Sequence, residues 1–141
     1  MSDTENLALV ADIGGTNARF ALADIRSGMP RLFQHETLPT SDYASLPHAA
    51  EYYLTKRGVK PTLASFAVAC PVAGDEIRLT NRAWAFSQRE LQASLGLSQQ
   101  LVINDFGAAA GAALVIGDED RVILHGSPAS QRMGPITVIG P

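Results

Sequence analysis

A mixed α/β fold, with a sheet that starts antiparallel and continues parallel, is predicted by the order of apolar segments. Two apolar runs, Leu7–Ala11 and Phe20–Ala23, flank a turn containing Gly14 and Gly15, so the chain opens on a β-hairpin. Farther on, strand-length apolar runs at Leu63–Val72 and Leu101–Ile103 alternate with segments of helical spacing. That alternation gives parallel strands joined by crossovers, and the overall order reads βββαβ(β)αβα.

Each element has its own local signal. Arg31–Leu38 offers a third antiparallel strand. A helix is predicted from about Ser41 to Lys56, because Tyr43, Leu46, Ala50, Tyr53 and Leu54 share one stripe, and Gly58 closes it. Leu63–Val72 is apolar on both faces, as in a strand covered by helices on each side. The Pro71–Asp75 segment turns into Glu76–Leu79, a second hairpin-like excursion. Ser87-Gln88-Arg89-Glu90 is a capping box; with Leu91, Leu95 and Gly96 it defines a short helix. Leu101–Ile103 is a strand that ends at Asn104-Asp105. An alanine-rich helix follows from Phe106 to about Ile116, closed by Gly117. Within it Gly107 and Gly111 lie one turn apart, each disfavoured by about 1 kcal/mol relative to alanine, and with Ala110 they form a smooth face suited to close packing against the sheet or a ligand, packing alone being the simpler explanation. Val122–Leu124 and Ile136–Ile139 are the last strand candidates. The chain ends as a strand running into Gly140-Pro141, which reads as the N-terminal part of a longer protein.

The bulk composition narrows the function classes. At 141 residues the chain has the size of one domain, and 46% hydrophobic with 18% charged residues marks a folded chain. Net charge is −3 with no basic cluster, which argues against a nucleic-acid surface on this segment. No apolar stretch has membrane-spanning length, and the polar, acidic start Met1–Asn6 is unlike a secretory leader. The single cysteine, Cys70, sits in the apolar run Phe66–Cys70 and fits a buried structural thiol in a reducing compartment.

Two segments carry chemistry. In Asp12-Ile13-Gly14-Gly15-Thr16 a carboxylate interrupts an apolar strand beside two glycines and a hydroxyl. Asp and Gly are also ordinary turn residues, so a plain hairpin turn is the competing explanation. A buried carboxylate is costly without a partner or metal, which favours a phosphate turn with Asp12 near Mg²⁺. Glycines let backbone N–H groups approach the anion. No Gly-Lys-Ser/Thr follows, so this is not a Walker A loop, and the next element is a strand, so it is not a dinucleotide fingerprint. The second segment is Asn104-Asp105. Either residue is a good helix cap, yet a carboxylate at the carboxyl end of a strand can also accept the proton of an attacking alcohol. The segment Asn81–Ser87 holds the sole tryptophan, Trp84, which is better explained as core than as a sugar platform. His35, His48 and His125 lack metal-ligand spacing, and Asp118-Glu119-Asp120 reads as a solvated loop.

Taken together, Val10–Arg19, Ala69–Asp75, Leu79–Ser87 and Ile103–Phe106 resemble the bacterial glucokinase family, with all four segments in order and spanning essentially the whole chain. The resemblance implies a ribonuclease H-like, actin-type ATPase fold in two domains around a cleft. Residues 1–141 would be the N-terminal, smaller domain, and the second domain lies outside this chain. It further implies transfer of the ATP γ-phosphoryl group to the 6-hydroxyl of glucose with Mg²⁺. Asp105 matches the catalytic base and Asn104 its neighbouring sugar ligand; Gly14, Gly15 and Thr16 match the phosphate turn, and Asp12 the acidic residue near the metal. Family members are typically cytoplasmic homodimers, and some relatives carry a DNA-binding regulatory domain. A glutamate and a histidine that bind sugar, together with the adenosine site, come from the family's second domain. The rival readings are a catalytically silent sugar-sensing regulator and a non-sugar ATPase of the actin-like superfamily. Retention of both Asp12 and Asp105 argues against the first, and the Asn104-Asp105 pair with the Trp84 segment argues against the second.

Overall fold

The computed structural model describes residues 6–80, 84–127 and 134–140. Strands β1 (Leu7–Ile13), β2 (Asn17–Asp24) and β3 (Arg31–Pro39) form an antiparallel meander. Helix α1 (Leu46–Arg57) then leads to β4 (Leu63–Val68), which pairs in parallel with β1. A small antiparallel hairpin, β5 (Glu76–Arg78) and β6 (Ala85–Ser87), precedes α2 (Gln88–Ser94). Strand β7 (Gln99–Asn104) pairs in parallel with β4 and runs directly into α3 (Asp105–Ala113). The main sheet has the order β3-β2-β1-β4-β7, antiparallel on one side of β1 and parallel on the other, as the sequence predicts.

The chain divides into two compact units, Met1–Asp105 and Phe106–Pro141. The first holds the core. Leu9, Ala11 and Ile13 of β1, Ala18, Phe20 and Leu22 of β2, and Ala64, Phe66 and Val68 of β4 are buried with Leu46, Ala49, Ala50, Tyr53 and Leu54 of α1. Period-two alternation on the strands meets a helical stripe, so a single sheet face is sealed. Opposite it, Leu63, Ser65 and Ala67 of β4 are only half-buried, not covered on both sides as the sequence suggests. The strand also stops at Val68, although Ala69 N–H still donates to the Ile13 carbonyl at 3.0 Å.

Local signals explain the boundaries. Helix α1 starts at Leu46, with Ser45 at its N-cap and a proline in its first turn, so Ser41–Tyr43 lie ahead of it and Thr40–Asp42 form a 3₁₀ turn instead. Gly58 ends it at φ 65°, donating to Leu54 and Thr55 carbonyls. At α2 the Ser87 hydroxyl accepts the Glu90 N–H at 3.2 Å and donates to Asp75 at 2.7 Å. Trp84 is buried, and its indole N–H donates to the Tyr43 carbonyl at 2.9 Å, so its role is core. Asn81–Ala83 lie outside the described residues.

The edge strand β3 is tied to α1 by side chains. A register shift opposite Phe20 and Leu22 leaves Gln34 at φ 54°, and its carbonyl accepts both the Tyr53 hydroxyl (2.8 Å) and Arg57 Nη2 (3.2 Å). Glu36 pairs with Lys56 at 2.8 Å and with Arg57 at 2.6 Å; chiefly the Lys56 hydrogen bond holds its carboxyl below the ordinary value. An irregular edge with paired charges is a poor template for a further strand.

The second unit differs from expectation. Helix α3 ends at Ala113 and buries no residue, and a Cβ built on Gly107 or Gly111 meets nothing within 4 Å. Val122–Leu124 and Ile136–Ile139 form no strand, because these apolar runs find no neighbour to complete a ladder. Asp118–Asp120 is an exposed 3₁₀ turn.

Candidate functional site

The β1–β2 hairpin closes tightly. Ile13 pairs with Ala18, and Gly14 N–H donates to the Asn17 carbonyl at 2.9 Å. Gly14 and Gly15 are half-buried and Thr16 is exposed at the tip. A residue distant in sequence grips this tip: the Thr40 hydroxyl lies 2.9 Å from the Gly15 carbonyl and 3.1 Å from the Thr16 carbonyl, and Thr40 N–H donates to the Thr16 carbonyl at 2.9 Å.

Asp12 corrects the sequence reading. It is not buried: strand alternation sends Ala11 and Ile13 into the core and turns Asp12 to the opposite face. There Arg19, its direct cross-strand partner, donates from Nη1 to Oδ2 at 3.0 Å, with side chains 59% and 53% exposed. An ion pair this open contributes at most about 1 kcal/mol. The argument from the cost of burial therefore falls. In its place stands a solvent-accessible carboxylate at the mouth of the glycine turn.

Asn104 and Asp105 occupy the end of β7 and the start of α3, both half-buried. Asn104 Nδ2 donates to the Cys70 carbonyl at 3.1 Å, which fixes the amide against the loop after β4. Burial, and secondly the Asp105 charge, push the Cys70 thiol up, so Asp105 stands close to that thiol. Cys70 is accordingly a buried, unreactive group, as expected.

Register relates the two segments. Ile13 pairs with Val68, and Val68 with Asn104, so the three share one row across parallel strands. Two inter-strand steps separate the Ile13 and Asn104 backbones by about 10 Å. Gly14 and Asp105 are each the next residue beyond that row, at the carboxyl edge of the sheet, where α/β folds gather ligands. A cavity of about 270 Å³ reaches Asp12 and Arg19 on the sheet face, together with Val10, Leu32 and Ser65; its lining includes neither Gly14–Thr16 nor Asp105. A cavity of about 500 Å³ lies elsewhere, between the ends of α1 and α2. The row of paired residues brings the turn and the Asn104-Asp105 pair to one edge, and neither cavity joins them.

Among the described residues no group of three or more His, Cys, Asp or Glu side chains is placed to hold a metal. Asp12, an accessible carboxylate two residues before the glycine turn and paired with Arg19 at 3.0 Å, is of the type Mg²⁺ takes, since that ion uses one or two protein carboxylates and completes its shell with phosphate oxygens and water. Two residues of this region escaped the sequence reading. Arg19 was legible, since a hairpin closing at Gly14–Thr16 puts a cation directly across from Asp12. Thr40 was not, because only the β2–β3 pairing of Asn17 with Pro39 brings it to the tip.

Known proteins resemble this chain closely. Residues 9–141 match the model of a family described as Glucokinase. A glucokinase of Psychromonas ingrahamii is 40% identical over 137 residues, covering 96% of this chain and 41% of the relative. One from Xanthomonas oryzae pv. oryzae is 46% identical over 140 residues, covering 94% and 41%. The crystal structure of glucokinase from an Antarctic psychrotroph superposes with a TM-score of 0.77 at 39% identity, covering 86% of this chain and 39% of that one. The chain thus spans about two fifths of the length of the relatives it matches.

Proposed function

Since the chain belongs to the glucokinase family, we propose that it supplies the N-terminal domain of a two-domain enzyme that phosphorylates glucose to glucose 6-phosphate with ATP. The observation that carries this reading is the shared row at the carboxyl edge: a glycine turn at the end of β1 and a carboxylate just past β7, two strands apart.

In this reading Asp105 accepts the proton of the glucose 6-hydroxyl and aligns its oxygen, while Asn104, held by the Cys70 carbonyl, binds a neighbouring sugar hydroxyl. Gly14, Gly15 and Thr16 form the turn that receives the phosphates: the Gly14 N–H closes the turn on the Asn17 carbonyl, and the Thr16 N–H is offered to the anion. Asp12 is the residue beside Mg²⁺, held largely through water; when bound, the ion neutralises charge on the phosphate oxygens. Catalysis then consists mainly of positioning and charge stabilisation. The complete enzyme is proposed to be a cytoplasmic homodimer. No helix among the described residues is long and apolar enough to cross a membrane.

Coupled assays of ADP release test the proposal. The complete enzyme is expected to turn over ATP only when glucose is present, and the 141-residue chain alone to show little or no activity, because the remaining sugar and adenosine contacts belong to the second domain. Glucose-independent ATP turnover, or vigorous kinase activity from the isolated chain, contradicts it.

A further inference from the structure

We propose that Thr40 is a positioning residue for the triphosphate, because its buried hydroxyl bonds across to the glycine turn and sets the direction of that turn's N–H groups. The inference rests on reading Gly14–Thr16 as the phosphate turn.

Thr40 is 2% exposed, in a 3₁₀ turn directly after the edge strand β3. A buried hydroxyl needs a partner, and threonines at turns commonly bond their own backbone. This one reaches instead 24 and 25 residues back, to the Thr16 and Gly15 carbonyls at 3.1 and 2.9 Å. One hydroxyl proton is therefore shared between two acceptors on consecutive peptides. The consequence follows from peptide geometry. Each peptide unit is planar, and no cis bond is present, so a carbonyl and the next N–H point in opposite directions. Holding the Gly15 carbonyl toward Thr40 aims the Thr16 N–H away from it. Holding the Thr16 carbonyl likewise aims the Asn17 N–H away. Glycines at a turn leave these planes free to rotate, and an anion site needs them fixed before the ligand arrives. Thr40 supplies that fixation from another strand. The two peptides are not equally dependent on it: the Thr16 carbonyl also receives the Thr40 backbone N–H, so the side chain matters most for the plane between Gly15 and Thr16.

The test is made in the complete enzyme. Thr40→Val keeps the shape and removes the hydroxyl; Thr40→Ser keeps the hydroxyl and removes the methyl. Thr40→Val is expected to raise the KM for ATP about tenfold, near the upper end for the loss of one hydrogen bond between neutral groups, with the KM for glucose changed less than about twofold. Thr40→Ser is expected to stay close to the parent on both. A merely structural role predicts a lower Tm with both KM values unchanged in the folded enzyme, and that result, or an unchanged KM for ATP at unchanged Tm, overturns the proposal while leaving the phosphate turn in place. A parent enzyme whose ATP turnover ignores glucose overturns the kinase reading, and the role of Thr40 with it. If Thr40→Val does not fold, Thr40→Cys substitutes a weak donor of similar size. A raised ATP KM in Thr40→Cys but not in Thr40→Ser then supports the proposal, and equal values overturn it.

Discussion

Asp105→Ala in the complete enzyme is expected to lower kcat by about 10²–10⁴-fold, the range for a lost general base. Three properties of the residue combine to give so large an effect. It is the first residue past β7, a strand paired with β4 along its whole length, which fixes its backbone. It opens α3, so its side chain sits in the first turn of a helix. It follows Asn104, whose amide is pinned to the Cys70 carbonyl, so the pair presents a fixed edge to a sugar. The helix contribution alone is worth only about 0.3–1 kcal/mol of stability, so kcat should collapse while Tm barely moves. A loss of activity below tenfold would reduce Asp105 to a residue that merely starts a helix.

Phe20→Ala is expected to destabilise the fold by about 3–5 kcal/mol, read as a lowered urea midpoint. Phe20 is 1% exposed at the centre of β2 and stacks on Tyr53 of α1 with ring centroids 5.3 Å apart. Arg57 covers that Tyr53 ring, 3.7 Å from its centroid, and the Tyr53 hydroxyl is committed to the Gln34 carbonyl. The surroundings are thus held from both sides and collapse poorly into the space a phenyl ring vacates. The lost stacking adds about 0.5–1.5 kcal/mol to the lost burial. A change under about 1 kcal/mol would mean that α1 and the sheet can close without this contact.

Much of this was legible because period and punctuation are local properties. The hairpin, the end of α1 at Gly58 and the Ser87 cap of α2 appear where the sequence predicts them, while α1 begins at Leu46 rather than near Ser41 and leaves Tyr43 outside its stripe. The errors have two origins, an overlooked local alternation at Asp12 and, elsewhere, partners that only the fold supplies. Asp12 was read as buried because its neighbours are apolar, yet alternation along β1 turns it outward, and Arg19 opposite it accounts for its charge. Val122–Leu124 and Ile136–Ile139 were read as strands from composition, although a strand exists only where a partner supplies its hydrogen bonds. Partner-dependent features of this kind are not written in any short window. Thr40 is the same case at the candidate site: no motif marks it, and only the pairing of β2 with β3 brings it to the glycine turn.

The central claim is that the β1 turn and Asp105 serve one reacting pair. A crystal structure of the complete enzyme with glucose and a non-hydrolysable ATP analogue tests it most directly. The expected result is the glucose 6-hydroxyl within about 2.6–3.2 Å of the Asp105 carboxylate, with the terminal phosphates lying against the Gly14–Thr16 turn. Glucose bound away from Asp105, or phosphates seated anywhere other than that turn, would contradict the account.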